Sequence, residues 1–205
     1  AAVVAFFGLQ EFIRSADVSS GELKAKQISQ LRNAYENYLN TYRNNYVNNT
    51  AIVTPVGTTI PVSTSAVASG GANNTVCAPA ASVRCPSIQQ LIDLRLLPTG
   101  FPTNTMAMCG YNDVGTAPTV NSAPYCGQLE NRCTATTPQI CSIKGFVAFT
   151  NALPNGNVVQ GAIDSLKGLA VFSRAPGENL RGAGGSFFVP NPISGTPAPA
   201  NVLGA

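Results

Sequence analysis

No histidine occurs among the 205 residues, which removes the side chain most often used as a general base and as the partner of a nucleophilic serine or cysteine. Charge is scarce too: 12 Lys and Arg and 9 Asp and Glu make up 10% of the chain. The basic residues are scattered, with no cluster along one face, so a net charge of +3 makes no case for nucleic acid as a partner. The carboxylates lie singly, and nothing marks a glycosidase-like acid pair. Gly182-Ala183-Gly184-Gly185 superficially suggests a phosphate loop. It lacks the Lys-Ser/Thr ending and precedes a strand candidate instead of opening a helix, so it reads as a tight turn. No catalytic, cofactor-binding or metal-binding set emerges, and no cofactor is expected. Also missing is an apolar run long enough to cross a bilayer. Residues 1–9, AAVVAFFGL, would make about 13 Å of helix, under half of what a bilayer needs. The run has no basic start and no small-residue cleavage site, so it does not read as a signal peptide. It is expected to be the downstream part of a longer hydrophobic helix.

Cysteine is absent outside the window from Cys77 to Cys141, which holds all six: Cys77, Cys85, Cys109, Cys126, Cys133 and Cys141. Without histidine and without C-x2-C spacing a zinc site is excluded, and the pattern reads as a disulfide framework formed in an oxidising compartment. Six cysteines can pair in fifteen ways. Sequential pairing is the least entangled, and the sequence leaves the choice open. Abundant Asn, Thr, Ser, Ala, Gly and Pro with few charges is the composition of a secreted or surface protein.

What is present begins with one strong helix. In residues 22–46, ELKAKQISQLRNAYENYLNTYRNNY, Ile28, Leu31, Tyr35, Tyr38 and Tyr42 recur at spacings of three and four, with Leu39 and Tyr46 widening the stripe. Tyrosine on the buried face implies a partly polar partner surface, because each phenol keeps a hydroxyl to satisfy. Upstream, Ser19 and Glu22 form a capping-box pattern around Gly21, so the helix is expected to restart at Ser19 or to be weakened there. Residues 47–75 read as a long loop with brief edge strands near Ala51 to Val53 and Thr58 to Val62. Ser87 to Leu97 reads as a short helix capped by Ser87, with Ile88, Leu91, Ile92 and Leu94 or Leu96 inward and Pro98-Thr99-Gly100 ending it. Residues 102–141 are rich in turn formers and cysteines, and the disulfides are expected to hold them. Ile143 to Thr150 is the best strand and Pro154 to Asn157 a turn. A second amphipathic helix of about 14 residues is expected through Val159, Ala162, Ile163, Leu166, Leu169 and Ala170. Ser186 to Val189 reads as a last strand, and residues 190–205 as a Pro/Gly/Ala linker.

An apolar helix start, an amphipathic continuation, a stapled Thr/Asn-rich region and strands at the end together resemble the type IV pilins, most of all the PilV-type minor pilins of type IVb pili. Three stretches carry the resemblance. Ala25 to Tyr46 looks like that family's helix ending in A-x-x-Y; Ser87 to Phe101, SIQQLIDLRLLPTGF, looks like its I-x-x-L-I-x-x-G-x-L-P-x-G-F segment; Phe146 to Phe188 ends in GAGGSFF, like its strand, helix and G-A-x-G-G-aromatic segment. They cover roughly half the chain in the family's order.

The resemblance implies an α+β, type IV pilin-like fold: a long N-terminal helix packed on a small antiparallel sheet, with disulfide-stapled loops. It divides the chain into a pilin-like helix at 1–46 (an apolar assembly part at 1–20 and an amphipathic part at 22–46), a globular head at 47–189 and a tail at 190–205. Phe6, Phe7, Leu9, Phe12 and Ile13 are the expected assembly residues, covered by neighbouring subunits in a filament and not by the head. The implied function is that of a minor or tip subunit of a type IV pilus, non-catalytic, presenting its head for adhesion. Implied partners are other pilin subunits, the inner membrane before assembly, and a cell-surface receptor or glycan; the implied location is the extracellular pilus of a Gram-negative bacterium. The alternatives are a major structural pilin or pseudopilin of a secretion system, and less readily a secreted hydrolase.

Overall fold

A computed structural model describes residues 2–48, 50–62, 83, 86–103, 107–109, 131–133, 141–143, 147–149, 152–178, 180–182, 188–189 and 200–205, with backbone alone at 2–8, 47, 107–109, 131–133, 141–143 and 188–189. In chain order its elements are helices α1 (Ala2–Thr41) and α2 (Arg43–Asn48), strands β1 (Ile52–Val53) and β2 (Thr59–Ile60), helix α3 (Ile88–Asp93), strands β3 (Ala107–Cys109), β4 (Asn131–Cys133), β5 (Cys141–Ile143) and β6 (Val147–Phe149), helix α4 (Gly156–Leu166), and strands β7 (Val171–Phe172), β8 (Leu180–Gly182), β9 (Phe188–Val189) and β10 (Leu203–Gly204). The class is α+β: a long N-terminal helix with small antiparallel sheets. The chain divides into two compact units, residues 1–29 with 151–205, and residues 30–150.

In the first unit α1 runs without a break through Ser19 and Gly21, so the capping-box pattern there starts no helix. Gly21 is where α1 crosses α4. A methyl group on Gly21 would overlap the Val158 carbonyl oxygen and stand 2.8 Å from the Ala162 amide nitrogen; one on Gly161 would stand 2.5 Å from the Val18 carbonyl oxygen and 2.9 Å from its Cα. Two glycines therefore let the backbones approach more closely than any side chain would allow. Asn155 fixes the crossing and starts α4: its Oδ1 accepts the amides of Asn157 at 3.0 Å and Val158 at 3.1 Å, and its Nδ2 donates to Asp17 Oδ2 at 3.0 Å. The expected turn at Pro154 to Asn157 is thus the N-cap of a helix. That helix is shorter than expected, 11 residues and a closing 3-10 turn at Lys167–Leu169, because Lys167 leaves the helical region at φ 54°. Val158, Val159, Ala162 and Leu166 are buried, while Leu169, expected inward, is exposed.

Strands β10, β7, β8 and β9 neighbour one another in that order, all antiparallel. Leu203 pairs with Phe172 and Gly204 with Val171, and Val202, Leu203 and Ala205 are buried. The expected linker therefore ends in a strand of the core. Buried Ser173 anchors it: its N–H donates to the Val202 carbonyl at 3.1 Å, its carbonyl accepts from the Asn201 N–H at 3.0 Å, and its Oγ accepts from the Val202 N–H at 3.2 Å. The Leu153 N–H donates to the Asn201 carbonyl at 2.8 Å. Between β7 and β8 the chain turns at Ala175-Pro176-Gly177-Glu178, with Gly177 at φ 81°, as the second central residue of a type II turn requires. The expected last strand is observed as β9; the expected turn at Gly184-Gly185 lies outside the described residues.

In the second unit Leu31, Ala34, Tyr35 and Tyr38 of α1 are buried, with Tyr46 of α2. The helix expected to reach Tyr46 unbroken is interrupted at Tyr42, yet the Tyr42 and Tyr46 amides still donate to the carbonyls four residues back, at 2.8 and 2.9 Å. The tyrosine ladder is real: Tyr35 and Tyr38 stack at 6.3 Å between centroids, and Tyr38 and Tyr42 lie 5.4 Å apart. The Tyr38 hydroxyl donates to the carbonyl of buried Val83 at 2.6 Å, which is the polar partner that a phenol on a buried face demands. β1 and β2 form a hairpin around Thr54-Pro55-Val56-Gly57-Thr58, in which the Gly57 amide donates to the Thr54 carbonyl and Gly57 takes φ 83°.

Helix α3 carries a full capping box: Ser87 Oγ accepts the Gln90 amide at 3.1 Å and Gln90 Oε1 accepts the Ser87 amide at 2.9 Å. It ends at Asp93, several residues before the expected Leu97, because Arg95 turns left-handed at φ 62°. The Arg95 amide donates to the Ile92 carbonyl and the Leu96 amide to the Leu91 carbonyl, the two bonds of a Schellman ending. Leu91, Leu94 and Leu97 are the buried residues, while Ile88 and Ile92 are only half-buried. β3 pairs with β6 and β4 with β5. The single strand expected from Ile143 to Thr150 is therefore two, with Ile143 closing β5 and Val147–Phe149 forming β6, buried throughout.

Candidate functional site

Residues 9–16 of α1 are the stretch that the described residues leave uncovered. From Leu9 to Ala16 every side chain is exposed, and α1 first meets its own unit at Asp17, Val18 and Gly21. Leu9, Phe12 and Ile13 are 58%, 71% and 52% exposed. With Ala16 they fall at i, i+3, i+4 and i+7, a single apolar stripe, while Gln10, Glu11, Arg14 and Ser15 take the other positions. Leu9, Phe12 and Ile13 thus stand together on one helix face, uncovered by the other described residues. Phe6 and Phe7 continue the same helix; their side chains lie outside the described set.

Ala16 belongs to the stripe and went unnoticed in the sequence, although the spacing from Leu9 shows it. The exposed stripe ends at Ala16, because Asp17 and Val18 serve the crossing with α4. Covering Leu9, Phe12 and Ile13 would be worth about 3 to 5 kcal/mol, taking about 1.5 to 3 kcal/mol for full burial of each large apolar side chain. The surface is suited to a second apolar helix. Among the described residues no helix is long and apolar enough to cross a membrane.

Of the six cysteines, Cys77, Cys85 and Cys126 lie outside the described residues, while Cys109, Cys133 and Cys141 are placed by backbone alone, in β3, β4 and β5. Among the described residues no three His, Cys, Asp or Glu gather as a metal site would need. The Arg174 and Ala175 amides, donating to Glu178 Oε2 at 3.2 and 3.1 Å, hold its pKa below the ordinary glutamate value, with smaller help from the charges of Arg181 and Arg174. That carboxylate closes the β7–β8 turn, a local structural task. Comparison of the chain with protein-family models, with curated proteins and with solved structures finds no match in any of the three.

Proposed function

We propose that this protein is a minor or tip subunit of a type IV pilus, a non-catalytic component that assembles through the N-terminal part of α1 and presents a disulfide-stapled head for adhesion. The observation that carries the proposal is the apolar stripe of Leu9, Phe12 and Ile13, which are 58%, 71% and 52% exposed. Such a stripe on a helix that is anchored only from Asp17 onward fits packing against the equivalent helix of a neighbouring subunit. A second observation favours the minor-pilin resemblance. Where the family's I-x-x-L-I-x-x-G-x-L-P-x-G-F segment has glycine, this chain has Arg95, and Arg95 keeps the left-handed backbone that glycine adopts readily.

The test replaces Leu9, Phe12 and Ile13 together by asparagine in the full chain. The expected result is an unchanged circular dichroism spectrum and thermal midpoint, with loss of incorporation into filaments in a pilus-assembling strain. Normal incorporation, or a large fall in the stability of the isolated subunit, would overturn the reading.

A further inference from the structure

We infer that Cys133 and Cys141 are joined by a disulfide that closes the β4–β5 pair. The register is Asn131 to Ile143, Arg132 to Ser142 and Cys133 to Cys141, so the two cysteines occupy one rung of an antiparallel ladder. Rung partners share a face of the pair, and their Cα atoms lie about 4.5 to 5.5 Å apart, inside the range of about 4.4 to 6.8 Å that a disulfide spans. The other described cysteine, Cys109, sits on a rung with Val147, so its own ladder offers it no thiol. β4 and β5 form a sheet of two strands with three rungs, and an isolated pair of strands is marginal in water without a further constraint. A bond on the terminal rung supplies one, and it also pins the register, which a one-residue slip would otherwise turn inside out.

Two thiols become one disulfide by losing two protons and two electrons. A disulfide donor, either a small-molecule disulfide or an oxidised dithiol oxidoreductase, takes them: one cysteine thiolate attacks the donor, and the second attacks the resulting mixed disulfide and expels the donor as its thiol form. Fixing this pair leaves Cys77, Cys85, Cys109 and Cys126 with three possible pairings in place of the original fifteen. The inference is independent of the pilus reading.

Trypsin tests it directly. Cleavage after Arg132 and Lys144 releases CTATTPQICSIK, which contains Cys133 and Cys141 and no other cysteine, while cleavage at Arg84 and Arg95 puts Cys77 and Cys85 on separate peptides and Cys109 with Cys126 on a third. The full oxidised chain is unfolded in the presence of an alkylating reagent, digested without reduction and weighed. The expected result is a free CTATTPQICSIK peptide, lighter by two hydrogens than its dithiol form, that takes up two alkyl groups only after reduction. The same peptide covalently joined to another cysteine peptide, or alkylated before reduction, overturns the inference. As a second arm, Cys133→Ser should leave one new alkylatable thiol, at Cys141; a new thiol at any other cysteine also overturns it.

Discussion

Gly161→Ala should destabilise the protein, although alanine is the better helix former. The added methyl group meets only backbone, standing 2.5 Å from the Val18 carbonyl oxygen, 2.9 Å from its Cα and 3.0 Å from its carbonyl carbon, so no rotamer change can relieve it. The two helices must part, which loosens the packing beside the crossing and stretches the 3.0 Å bond from Asn155 to Asp17. Overpacking a tight site costs about 1 to 3 kcal/mol, and a backbone-on-backbone clash belongs in the upper half of that range. The helix propensity gained returns about 1 kcal/mol, leaving a net loss of about 1 to 2 kcal/mol. In urea, with a slope of about 2 kcal/mol per molar, the midpoint should fall by about 0.5 to 1 M. Gly156→Ala on the same helix is the control: nothing lies within 4 Å of the new methyl group, so its midpoint should stay level or rise. Gly21→Ala should behave like Gly161→Ala, and the double variant should cost less than the sum, because helices already parted accept a second methyl more easily. If Gly161→Ala unfolds at or above the parent midpoint, the close crossing does not exist as described.

Tyr38→Phe removes the 2.6 Å bond to the Val83 carbonyl and leaves a buried acceptor unpaired; equilibrium unfolding should show a loss of about 1 to 3 kcal/mol, and a neutral result would mean water reaches that carbonyl. Arg95→Gly should raise stability by up to about 1 kcal/mol, since glycine removes the Cβ strain of φ 62° at some entropic cost, and a lower thermal midpoint would contradict it. Glu178 should titrate below an ordinary glutamate in a carbon-detected NMR titration, because two backbone amides favour its charged form. A depressed carboxylate contributes stability above its unfolded-state pKa and loses it as pH falls through the lowered folded-state value; Glu178→Gln should remove that acid-side dependence of the β7–β8 turn, and a normal or raised titration midpoint would refute the assignment.

The amphipathic part of α1 was legible because its period is long and regular: Ile28, Leu31, Tyr35 and Tyr38 are all buried, and the tyrosine hydroxyls signalled a polar neighbour that Tyr38 finds in Val83. Ser19 to Glu22 misled because a glycine beside a capping pattern looks locally like a helix boundary, whereas Gly21 answers to a helix far along the chain. The ends of α3 and α4 were overestimated for another physical reason. Arg95 and Lys167 stop them at positive φ although neither is a glycine, and apolar residues run on past each stop. β7 and β10 were missed because two-residue strands show no alternation, and β10 hides after a run of Pro, Gly and Ala. The apolar stripe from Leu9 occupies one face, and only the crossing at Val18 shows where it ends.

The first unit joins segments far apart in sequence: Asp17 and Asn155 are 138 positions apart, and β10 comes only with Leu203 and Gly204. A chain emerging N-terminus first therefore cannot complete this unit until residues 203–204 are available, and Gly21 must wait for its partner helix while residues 30–150 appear. Closing so long a loop costs little more than closing one of half the length, about 0.6 kcal/mol per doubling, but contacts of such sequence separation form slowly. All six cysteines fall within residues 30–150, so thiol oxidation and the packing of the tyrosine ladder can proceed before α4 reaches Gly21. Folding then has a built-in order, in which residues 30–150, which hold all six cysteines, can pack while Gly21 still lacks its partner helix.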